Sequence, residues 1–277
     1  MILRSQRSIV LASILVPLVL LLLSGLAVYL AVGRGLDVPS MASVSVPGWL
    51  MLPAPASPHA LLLNLVASLA VLLLSALIAN LGIRTLYTRT AAPEILFVML
   101  FFAALSFEAF RLGNLMLRES SVSPLVGLLF SRAVLFGRLF GLMAMLVASL
   151  YAAGMKYNQY AVLAGGMLVL AFTLAGTLPL DGTLLEATLL HRLGDRRGYL
   201  FVTLLLALLS VIDFLIAVRV RRSRRFLALT AACLCLLAGR ELLQRGVAPL
   251  PTALGALLLA GGYLLFVRNI GIFYLWV

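Results

Sequence analysis

Stretch after stretch of this chain stays apolar for the roughly twenty residues an α-helix needs to cross the hydrocarbon of a bilayer. In lipid every backbone N–H and C=O must be satisfied within the segment or by a closed barrel. Unbroken apolar runs of this length are therefore helices. Of 277 residues, 64% are hydrophobic and 11% charged, too few polar groups to cover a soluble domain of that size. The expectation is an all-α polytopic membrane protein of about eight transmembrane helices. An N-terminal signal-anchor helix precedes a seven-helix bundle, with both termini cytoplasmic.

In chain order, residues 1–32 pair a short basic start, Arg4 and Arg7, with an apolar run too long for a cleaved signal peptide. Residues 33–59 form an external loop rich in Pro and Ser, whose Trp49 suits the membrane interface. The bundle occupies 60–277. Its spans are read at about 60–83, 93–117, 124–155, 160–180, 199–218, 226–243 and 251–267. Between the span that ends near 180 and the next, Thr183 and Glu186 fit a capping box. Leu185, Leu189 and Leu193 recur every four residues, and Gly194 supplies a stop. That pattern predicts a short interfacial helix near 183–193. Along the run from 124, Gly137, Gly141, Ala144, Ala148 and Ala152 make a small-residue stripe suited to close helix packing within the chain.

The net charge of +12 comes from twenty arginines and Lys156. In a soluble protein such an excess suggests nucleic acid. Among membrane spans it reads as topology, with no nucleic-acid partner. An N-terminus inside gives the cytoplasmic segments eleven basic residues and the external ones six, which fits the positive-inside rule. The densest group, Arg219, Arg221, Arg222, Arg224 and Arg225, is placed to meet anionic headgroups.

Charges inside the spans are the exception to this pattern, and intramembrane ionisable groups are by default paired and functional. The span beginning at Pro93 carries Glu94, Glu108 and Arg111. Glu94 suits a helix N-terminus. At ~1.5 Å per residue, Arg111, Arg132 and Arg240 fall at comparable depth towards the outer side, with Glu108 and Glu241 as counter-charges. The same arithmetic pairs Arg138 with Asp213. Asn64 and Asn114 lie close enough to add hydrogen bonds. Together these nine side chains predict a polar pocket that opens outward and prefers an anion or carboxylate.

Catalytic patterns are missing from the sequence: two histidines, His59 and His191, lie far apart, and no zinc-hydrolase, nucleophile-elbow or P-loop motif occurs. Cys233 and Cys235 point to opposite sides of a helix and predict neither a bridge nor a metal site. No cofactor is expected. One anchor helix, an external segment and a seven-helix bundle resemble the layout of bacterial seven-transmembrane sensor modules, a likeness of architecture. The resemblance implies a receptor-like or scaffold module of the inner (plasma) membrane. It has no output domain of its own in this sequence and would act through a protein partner in the membrane or cytoplasm. The alternative is a secondary transporter or permease subunit for an anionic solute or lipid.

Overall fold

The computed structural model describes residues 2–33, 58–90, 92–117, 123–156, 159–186, 188–223, 225–246 and 248–275. The external loop with Trp49 lies outside the described residues, as does Arg224. In chain order the helices are α1 (Ile2–Gly33), α2 (Pro58–Thr90), α3 (Pro93–Leu105) and α4 (Phe110–Leu117), followed by α5 (Pro124–Ala152) and α6 (Tyr160–Thr177). Strands β1 (Leu180–Leu185) and β2 (His191–Leu193) precede α7 (Arg196–Val220), α8 (Arg225–Arg245) and α9 (Pro249–Leu275). Among the described residues eight segments are long and apolar enough to cross a membrane, α3 and α4 together making one of them. The protein is an all-α polytopic membrane protein.

Sequence chemistry sets several helix starts. Pro93 and Pro124 stand in the first helical turn, where the missing N–H leaves no bond unmade. Ser123 caps α5 through its side chain, and Asp195 caps α7 by accepting from the Gly198 N–H at 2.9 Å.

The α3–α4 span and α5 are the innermost pieces, with 83% and 72% of residues buried along their most apolar eighteen, whereas the same stretches of α6 and α7 are only 17% and 22% buried and present most of their side chains outward. Lipid is as apolar as leucine, so close fit rather than water exclusion selects helix partners. On α5 the glycines provide that fit. A Cβ on Gly137 would overlap Phe107 Cβ, and one on Gly141 would stand 3.1 Å from Ala104 Cβ, so α3 lies directly on α5. The small-residue stripe thus serves packing within the chain. The α8–α9 hairpin closes more tightly still: a Cβ on Gly239 would come within 2.7 Å of the Leu259 backbone nitrogen.

Two features depart from the sequence reading. The third span is not one regular helix, because residues Ser106–Ala109 tighten into a 3-10 turn between α3 and α4. Glu108 sits inside that turn. Second, the interfacial helix expected near 183–193 is an antiparallel β-hairpin, with Leu180 opposite Leu193 and Asp181 opposite Arg192. Glycines at both ends of the segment, Gly182 and Gly194, weigh against a helix, and Pro179 precedes it. The leucine spacing that mimicked a helical face instead puts Leu189 and Leu190 in the connecting loop, where both are buried. Leu189 takes a left-handed backbone (φ 58°), a conformation that costs a branched side chain about 1–2 kcal/mol.

Successive spans alternate direction, so the hairpin shares one end of the bundle with α4, the start of α5, the end of α8 and the start of α9. The first turns of α5 project beyond the start of α7, and the hairpin lies against them: Leu128 is 3.4 Å from where a Gly182 Cβ would stand.

Candidate anion site at the hairpin end

The site is assembled on Glu108, which is 2% exposed. Arg138 of α5 reaches it side-on, Nε donating to Oε1 at 2.7 Å and Nη2 to Oε2 at 3.0 Å. Such a two-point fork is the strong form of the Arg–carboxylate pair, and it leaves Nη1 of Arg138 uncommitted. Arg111, one turn after Glu108, donates from Nη1 to Oε2 at 3.3 Å. The same Nη1 also donates to the Gln244 carbonyl at 3.2 Å, and Nε donates to the Thr188 carbonyl at 2.6 Å. One fully buried guanidinium therefore ties the third span to α8 and to the hairpin loop. Arg240, 1% exposed, donates from Nη2 to the Arg138 carbonyl at 2.9 Å and is close enough to act electrostatically on Glu108.

Three guanidiniums thus gather on a single carboxylate. Arg111 Nη2 and Arg240 Nε and Nη1 are buried with no protein acceptor. A buried donor left unmade costs about 1–3 kcal/mol, more when it carries charge. The group is short of negative charge and of acceptors together.

A cleft of about 100 Å³ adjoins the cluster, bounded by α5, α7, α8 and the hairpin. Arg138 lines it, as do Glu186, His191, Arg196, Tyr199, Glu241 and Arg245. The loop over it is held by two further contacts. Asn114 Nδ2 donates to the Leu189 carbonyl at 2.8 Å and to Ser131 Oγ at 3.0 Å. That same hydroxyl accepts the His191 backbone N–H at 3.2 Å. Burial holds the His191 imidazole below its ordinary range, against an opposing pull from Asp181.

Of the nine residues expected to form the polar pocket, Glu108, Arg111, Arg138 and Arg240 meet, and Asn114 holds the hairpin loop beside them. Glu241 lies beside them on the cleft wall, where its carboxylate pairs with Arg245 at 3.6 Å and is close enough to act electrostatically on Arg138 without bonding to it. Three other expectations need correction. Arg132 is exposed and joins nothing in the cluster, because the outer turns of α5 project to the level of the hairpin. Asn64 is half-exposed on α2 and makes no bond to the network. Asp213 does not pair with Arg138: it accepts from Ser149 Oγ at 3.2 Å. Ser149 lies eleven residues beyond Arg138 on α5, ~16 Å along the axis. The equal-depth arithmetic placed both ends of α5 and α7 level, and they are not.

Ser131, Thr188, Gln244 and Tyr199 were not read from the sequence. Thr188 and Gln244 contribute main-chain carbonyls to Arg111, which no residue type announces. Tyr199 and Arg245 carry a signal of a kind, an aromatic and a cation at the ends of apolar runs, but that signal is also the ordinary mark of an interface. Among the described residues no three His, Cys, Asp or Glu side chains gather to hold a metal ion. No protein-family model matches the chain, and no curated protein matches it.

Proposed function

We propose that this protein is a receptor-like or scaffold module of the inner membrane, acting without catalysis, that holds an anion at the arginine cluster beneath the hairpin. The observation that carries this reading is the excess of three guanidiniums over one buried carboxylate, with three guanidinium nitrogens lacking an acceptor. A carboxylate or phosphate in the adjoining cleft would bring negative charge to Arg138, the cluster guanidinium that lines it, with Arg196 and Arg245 on the other walls. In this reading the hairpin end faces outward and the signal passes to a separate protein partner in the membrane or cytoplasm. The exposed arginines Arg219, Arg222 and Arg225 at the other end would rest on anionic headgroups. Arg221, exposed as well, donates from Nε to the Ala152 carbonyl at 3.3 Å and so caps α5.

A permease for an anionic solute or lipid is the second reading. The 3-10 break at Glu108 favours it, since interrupted helices at charged depth mark solute paths in several transporter folds. Equilibrium binding to the purified protein in nanodiscs, across small carboxylates and phosphates, tests the anion site. Saturable binding that weakens at least tenfold in Arg138→Gln supports it, and no binding of any anion by the wild type removes it. Uptake of the bound anion by proteoliposomes would move the assignment from receptor to permease.

A further inference from the structure

We infer that the anion is the head of a single-chain amphiphile whose tail lies in the slot between α6 and α7. The inference rests on the anion site proposed above and names its ligand class. Its basis is a second cavity that shares a wall with the first. Helices α6 and α7 both pack on α5 but barely on each other, which leaves a crevice of about 190 Å³ between them. Its walls are Leu139 of α5, Leu174, Thr177 and Leu178 at the end of α6, and Val202 of α7.

Tyr199 lines both cavities, so the cleft that holds Arg138 and the crevice meet at one side chain of α7. On α7, positions 198 and 202 face the crevice, while 196, 200 and 203 face the cleft. A ligand that passes Tyr199 therefore meets Arg138 on one side and leucine and valine on the other. The carboxylate of Asp195 also stands at the crevice, but it is engaged in capping α7 at Gly198.

The sizes select among amphiphiles. A cleft of about 100 Å³ has room for a phosphate or carboxylate together with a few waters. One slot between two helices takes one chain. Access comes from the bilayer itself, since the cleft wall includes Leu200, which is 43% exposed. An acidic single-chain lipid, an alkyl phosphate or a fatty carboxylate, matches all three conditions.

Competition against radiolabelled hexadecyl phosphate bound to the intact protein in nanodiscs tests this, with octyl phosphate, butyl phosphate, inorganic phosphate and octanoate as competitors. Parallel measurements use Val202→Trp and Leu174→Phe, which fill the crevice, and Arg138→Gln, which removes the head contact. Binding is expected to tighten by on the order of 100-fold from butyl to octyl phosphate, at about fourfold per buried methylene. Both crevice variants are expected to lose at least tenfold for the long chain and to bind inorganic phosphate as the wild type does. Octanoate competing more strongly than octyl phosphate would assign the head as a carboxylate within the same amphiphile class. Equal competition by butyl and octyl phosphate, or crevice variants that bind the long chain normally, would overturn the tail and leave the anion site standing. Binding of the long chain that is unchanged in Arg138→Gln would overturn the head contact and the anion site with it.

Discussion

The two halves of the third span show how differently one helix run is held in place. In α3, residues 94–105 are all buried, and Phe97 stacks on Tyr151 at 5.5 Å while Phe102 meets the Tyr263 ring edge-on at 5.9 Å. That half is fixed by shape. From the 3-10 turn onward, Glu108, Arg111 and Asn114 are also buried but are held by hydrogen bonds to α5, α8 and the hairpin loop. That half is fixed by charge. The comparison teaches that burial alone does not say what a membrane segment is for. The shape-fixed half is packed on every side, whereas the charge-fixed half leaves Arg111 Nη2 buried without an acceptor.

Substitutions can separate the two regimes. The largest effect is expected from Glu108→Gln, which leaves two buried guanidiniums and a partly buried one around a neutral group. Breaking a buried ion pair by one partner costs about 3–5 kcal/mol, read as a loss of thermal stability in detergent. On the shape-fixed side, Gly239→Ala drives a methyl against the Leu259 nitrogen and the Gly255 carbonyl, 2.7 and 2.8 Å away. Overpacking of that kind costs about 1–3 kcal/mol, and the same melt measures it.

A smaller effect is expected from pH at the hairpin. The folded imidazole of His191 lies below its ordinary value of 6.5, so between the two values the unfolded chain binds the proton more readily. Stability then rises with pH across that window and is lost as pH falls below about 6.5. Protection of the hairpin amides, taken relative to their intrinsic exchange rate at each pH, should fall on acidification, and His191→Phe should flatten the response. Smallest of all, Arg132→Gln and Asn64→Ala, both outside the cluster, should change stability by about 0.5 kcal/mol or less. A large loss in either would mean the boundary between the regimes is drawn in the wrong place.

Much of the fold was legible because lipid imposes a coarse rule: about twenty apolar residues make a span, and Pro93 and Pro124 mark where two of them begin. The membership of Glu108, Arg111, Arg138, Arg240 and Asn114 was legible for the same reason, since polar groups at depth need partners. Their pairing was not. Depth counted from helix ends assumes the ends are level, and α5 overshoots α7, so Arg138 found Glu108 and Asp213 found Ser149. The hairpin was hidden by leucines at helical spacing, while the bonds that hold its loop run through the Thr188 and Leu189 carbonyls. Main-chain acceptors leave no trace in residue identity.

Glu108 and Arg138 meet across two spans, and a double-mutant cycle of Glu108→Gln with Arg138→Met measures that directly. The expected coupling is about 2 kcal/mol or more, with the double variant more stable than Glu108→Gln alone, because it removes the stranded charge. Additive losses, with coupling within about 0.5 kcal/mol of zero, would contradict the pairing and the anion site built upon it.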